Sequence, residues 1–125
     1  MEEYEKKAYQ VLKLLGCNQS YSGFNHAMFA VAMLLENPEI HDYTGENGIY
    51  TKIAEHYHKQ SWTAVERSIR HLIQNFCQNA SLEKCDKVFG EEVTESTINS
   101  GKNLSNKQFL ESICNYIRYD FKPEE

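Results

Sequence analysis

The sequence predicts an all-α fold: a compact six-helix domain containing a helix-turn-helix. Three observations predict it. Apolar residues recur at three- and four-residue spacing along most of the chain, the period of helices buried on one side. No stretch rich in valine and isoleucine alternates as a half-buried strand would. Helix-stopping residues, namely Gly16, Asn37 with Pro38, and Gly90, fall where the periodic stretches end.

The first helix is predicted over about 3–15, with Tyr4, Ala8, Val11, Leu12 and Leu15 on one side and Gly16 as its stop. After the polar connection "NQSYSGF", a second helix covers about 22–36. There Phe24, Ala27, Met28, Val31, Ala32 and Leu35 make a nearly all-round apolar surface, which belongs at the centre of a bundle. Asn37 ends it, because the residue before a proline resists the helical region. Residues 39–47, "EIHDYTGEN", read as a loop punctuated by Gly45 and then Gly48.

A third helix over about 48–57 carries Ile49, Ile53 and Tyr57 at i, i+4 and i+8. "HKQ" is a short link, and Ser61 or Thr63 caps the next helix, Thr63 with Glu66 fitting a capping box. That helix, about 62–78, holds Val65, Ile69, Leu72, Ile73 and Phe76 in one stripe. A short helix over 81–88 has Ser81 as cap and Gly90 just past its end. Residues 91–104, "EEVTESTINSGKNL", are polar and turn-rich, and are expected to be the most mobile part. The last helix, about 105–119, starts at Ser105 and buries Phe109, Leu110, Ile113 and Ile117. A single domain over 1–125 is expected, with the helix-turn-helix at about 48–78.

Bulk properties narrow the function. A chain of 125 residues is long enough to bury a real core without staples. No apolar run approaches the roughly 20 residues that span a bilayer. The start, "MEEYEKKAYQ", is acidic and mixed in charge, unlike the basic head of an export signal, so a cytoplasmic protein is expected. In that reducing compartment Cys17, Cys77, Cys85 and Cys114 read as free, mostly buried thiols. No two cysteines are spaced as a zinc site requires, and His56 and His58, two apart, point to different sides of a helix. Neither a metal nor a cofactor is expected. There is no glycine-rich phosphate loop, nucleophile elbow or local Cys-His signature, so an enzyme is not expected.

A net charge of −5 argues against indiscriminate binding to nucleic acid. Residues 48–79 nevertheless carry a local +2, from Lys52, Lys59, Arg67 and Arg70 against Glu55 and Glu66, leaving −7 on the remainder. A mildly positive face on an acidic body can choose one orientation on DNA. Two helices joined by a turn, the second longer and tidier, have the outline of a helix-turn-helix. Ala54 is small enough for two crossing helices to approach, and Tyr57 and Val65 are expected to pack across the turn. Thr63, Arg67, Arg70 and Gln74 share the face opposite the apolar stripe. Arginine can bridge the O6 and N7 acceptors of guanine and glutamine can pair with adenine, so these types suit base readout. Lys52 and Lys59 are expected to position phosphates. Trp62, the only tryptophan, is expected to cover the end of the motif by packing.

"IYTKIAEHY" followed by "AVERSIRHLI" resembles the C-terminal DNA-binding effector domain of the sporulation initiation response regulator (stage 0 sporulation protein A) family. That family's V-E-R-x-I-R-H-x-I run is matched by Val65, Glu66, Arg67, Ile69, Arg70, His71 and Ile73. "LLGCNQSYSGF", with Gly16, Gly23 and Phe24 in register, "VFG" at 88–90 and "NKQFL" at 106–110 extend the likeness over nearly the whole chain. The resemblance implies a bacterial six-helix effector that binds short, often tandem, boxes of double-stranded DNA and regulates transcription. It implies that Glu66, Arg67, Arg70 and His71 match positions touching bases or phosphates, with RNA polymerase or its sigma factor, and a second copy on tandem sites, as further partners. The sequence departs from the family at Ala64, where an arginine is usual, and at Ser20 and Ser22, where basic and polar residues are usual. The link between the two helices is about one residue longer, and no phosphoacceptor receiver domain is expected here. A different reading keeps the scaffold without DNA binding, as a protein–protein interaction module.

Overall fold

The computed structural model describes residues 1–58 and 61–122. In chain order the helices are α1 (Glu2–Leu15), α2 (Ser22–Glu36), α3 (Ile49–His56), α4 (Trp62–Asn79), α5 (Leu82–Phe89), α6 (Glu91–Val93) and α7 (Asn106–Tyr119). The all-α class holds, with no strand among the described residues. Most ends follow from local chemistry. Gly16 takes φ 84°, and the N–H groups of Gly16 and Cys17 donate to Lys13 and Leu12 O, the paired bonds of a Schellman stop. Ser81 and Ser105 cap α5 and α7, accepting from the N–H groups of Lys84 and Gln108.

α2 is the central helix. Eleven of its fifteen residues are buried, and α1, α3, α4 and α7 all pack on it. Its C-terminal end meets α7, where Arg118 Nη2 donates to Leu34 O at 3.0 Å. That supplies a partner, and a positive charge, to a helix terminus whose last carbonyls have none within the helix. Phe76 of α4, Phe89 of α5 and Phe109 of α7 pack ring against ring at centroid distances of 5.6–6.0 Å. This trio fastens the second half of the chain to the first, because α4 also lies along α2.

Two local expectations are corrected. Residues 91–104 are not merely a turn-rich connection: α6 runs into a π-helical turn over Thr94–Ile98, making seven α-helices among the described residues where six were expected. Thr94, Ile98 and Leu104 are buried there, and the Thr94 hydroxyl donates to Gly90 O at 2.9 Å. Three small footholds among polar neighbours are too sparse for periodicity to reveal. The capping box is also absent. Ser61, not Thr63, caps α4 by accepting from Ala64 N at 3.4 Å. Thr63 then lies in the first turn, its hydroxyl 2.9 Å from that of Ser61, and Glu66 is two positions too late to close a box.

Candidate nucleic-acid interface

The five apolar residues spaced along α4, Val65, Ile69, Leu72, Ile73 and Phe76, are all buried. Burying that stripe forces the opposite face outward. Thr63, Arg67, Arg70, His71 and Gln78 are exposed on it, and Gln74 is half-buried between them. The helix has 18 residues, about 27 Å at 1.5 Å per residue. His71, beside the buried stripe, is exposed.

α4 is held at three points. At its start Trp62 stacks on Tyr50 of α3, with centroids 6.3 Å apart and planes 9° from parallel. Midway, Asn106 at the head of α7 donates from Nδ2 to Tyr50 Oη at 3.1 Å and to Glu66 O at 3.0 Å. On the other side Gly23 of α2 touches the α4 backbone so closely that a Cβ there would lie 2.1 Å from Ser68 O. Only glycine fits that crossing.

α3 begins against the preceding loop, not with a side-chain cap: Ile49 and Tyr50 N–H donate to Asp42 and Tyr43 O at 3.0 and 3.1 Å. Ala54 is buried, as a close helix crossing requires. Tyr57, next after the end of α3, packs on the core that includes Val65 and also reaches α2. Its ring meets His26 and Phe29 of α2, and its hydroxyl donates to Asn25 O at 3.3 Å. His58 follows at φ 54°, a left-handed turn position taken here without glycine.

Electrostatics divide the candidate residues. Arg70 Nη1 pairs with Glu66 Oε1 at 3.5 Å, one turn apart, yet its side chain stays 49% exposed. Glu66 is turned to the flank of the helix, where Asn106 Nδ2 also reaches its Oε2 at 3.5 Å. It is therefore a holder of Arg70 more than a part of the outward crest. Beside it opens a cleft of about 580 Å³, with Glu66, Arg70 and Gln74 as one wall and residues 41–44 and 103–107 as the other. The opposite flank has a smaller cleft of about 290 Å³, bounded by Tyr21, His71, Asn75 and Gln78. Gln74 borders both. Burial raises the Tyr43 and Tyr50 phenols above their ordinary values, so both stay neutral hydrogen-bonding groups near neutral pH.

Thr63, Arg67, Arg70, His71 and Gln74 thus come together on one face, and Glu66 lies at its edge. Lys52 is half-buried on α3, and Lys59 falls outside the described residues. Sequence reasoning missed Gln78, although four residues beyond Gln74 is one more turn of the same face. It also missed the bridging role of Asn106, which no local spacing announces.

All four thiols are free, and three are buried. Burial, with Cys77 and Cys85 nearby, pushes Cys17 up to about 12, and burial pushes Cys114 to about 12. Among the described residues no group of three or more His, Cys, Asp or Glu is arranged to hold a metal ion. No helix among them is long and apolar enough to cross a membrane.

A family model described as "Sporulation initiation factor Spo0A C terminal" matches residues 8–117. The chain belongs to the Spo0A C-terminal domain family. The match spans all of α2 to α6 and α7 to Ile117, so it contains the outward face of α4 and every contact that holds it. Spo0A C-terminal domains form a family of DNA-binding effectors of a sporulation regulator, not a family of enzymes.

Proposed function

We propose that the protein is a sequence-specific regulator of transcription that places α4 in the major groove of double-stranded DNA. α3 and α4 form the helix-turn-helix of this reading, with α4 as recognition helix. The observation that carries it is the outward projection of Arg67 and Arg70 from a helix whose other side is wholly buried. Thr63, His71 and Gln74 stand beside them as polar groups able to meet base edges, and Glu66 steers Arg70. Lys52 and Lys59 serve as phosphate contacts that set the register. The site of action is the bacterial cytoplasm. RNA polymerase or its sigma factor is the downstream partner, and a second copy binds the adjoining half of a tandem box.

Exposed Ala64 supports the competing reading of a protein-binding scaffold, since it offers no cation where the family's arginine is usual. Selection from a random duplex pool, followed by anisotropy titration over a range of salt, separates the two. A regulator selects a consensus and loses affinity log-linearly with salt, in proportion to the phosphates neutralised. No detectable duplex binding at low salt rejects the proposal.

A further inference from the structure

Away from α4, a cleft of about 540 Å³ opens between α1, α5 and the end of α7. Its apolar wall is made of Leu14, Tyr9, Tyr116 and Phe121, and Lys13, Lys87 and Lys122 stand at its rim. None of its residues borders the two clefts beside α4. We infer that this cleft is a docking surface for an acidic peptide segment of a partner protein, one that inserts an aromatic or aliphatic side chain between carboxylates.

Charge is the first support. The chain carries −5 overall, yet among the described residues no carboxylate borders this cleft. Among the described residues, none of its three lysines has an acidic group within ion-pair distance, although Lys7 and Arg70 elsewhere do. Three cations with no ion-pair partner among the described residues make a local positive field that attracts acidic partners and orients them.

The apolar wall is the second support. Tyr9 is 38% exposed, one of few large apolar side chains so open to water. Tyr116 and Phe121 pack against each other at 5.7 Å with planes 41° apart, so the two rings do not present one flat stacking platform. A cleft walled by tilted rings suits a single inserted side chain better than a row of bases. The rim is also held in place. Lys13 Nζ donates to Gln19 Oε1 at 2.9 Å, and Gln19 Nε2 donates to Tyr9 Oη at 3.4 Å. The lysine partner is a neutral amide, so its charge stays available, and the fixed geometry lowers the ordering cost of binding.

The test titrates the full chain into a labelled peptide with Leu and Phe set among Asp and Glu. A peptide with Lys in place of the acids and a single-stranded oligothymidine serve as competing probes. Saturable binding of the acidic peptide is expected, with amide shift changes centred on Tyr9, Leu14 and Tyr116. Lys13→Glu with Lys87→Glu, both at exposed positions, should weaken it by about tenfold or more, and Phe121→Ala should weaken it without changing salt dependence. Far-UV circular dichroism of each variant shows that the helices persist. Absence of saturable binding, equal affinity for the lysine peptide, tighter binding of the oligothymidine, or indifference to the charge reversals would each overturn the inference.

Discussion

Ser68 Oγ on α4 lies 2.6 Å from His26 Nδ1 on α2. The same hydroxyl donates to Val65 O at 2.8 Å, so its oxygen accepts from the imidazole. His26 is buried, at 5% exposure, and the bond crosses the helix pair next to the contact of Gly23 with the Ser68 carbonyl. The crossing that aims α4 outward therefore depends on a polar link and a missing side chain acting side by side.

Ser68→Ala removes the link and little else. A loss of about 1 kcal/mol is expected, the usual worth of one intramolecular hydrogen bond. Urea unfolding would measure it, and a double-mutant cycle with His26→Ala should return a coupling of at least about 0.5 kcal/mol. Additive effects would show that the bond contributes nothing.

Gly23→Ala acts on the other half of the crossing. The new methyl would meet a backbone carbonyl, which cannot swing away as a side chain can. Destabilisation of about 1–3 kcal/mol is expected from the overpacking, read as a lower denaturant midpoint at an unchanged slope. A wild-type midpoint would mean that α2 and α4 sit farther apart than described.

Arg67→Ala and Arg70→Ala should each weaken binding to a selected duplex by about 1–3 kcal/mol, and random duplex by less. Glu66→Gln should instead raise affinity for random duplex at low salt, because it unpairs Arg70 and removes a negative charge from the flank. The cost to stability should be small, since a helical pair of this kind is worth only about 0.3–0.5 kcal/mol. Equal losses on selected and random DNA would reject base readout by the two arginines.

Burial of Cys17 sets an alkaline limit. Its folded value is raised from an ordinary 9.0 to about 12, so the folded state holds the proton more tightly than the unfolded chain. The stabilisation is complete below 9.0 and is lost as pH rises from 9.0 toward 12, because only the unfolded thiol ionises in that window. Cys114 behaves alike. Urea midpoints should fall across this range and fall less in Cys17→Ala, whereas slow alkylation of the native protein should favour half-buried Cys77 first.

The spacing of Val65, Ile69, Leu72, Ile73 and Phe76 was enough to orient α4, and with it Arg67, Arg70 and Gln74 on the outward side. Serine caps and a left-handed Gly16 placed helix ends to within a residue or two for the same reason. These are short-range effects, in which hydrogen bonds and apolar contacts recur along a single helix. The tertiary structure alone turned Glu66 to the flank, because Asn106 arrives from forty residues away. It alone sent Tyr57 to α2, made a helical turn of Thr94–Ile98, and gathered Tyr9, Lys87 and Phe121 around one cleft. Such outcomes depend on which distant surfaces meet, and one-dimensional spacing carries no record of that meeting.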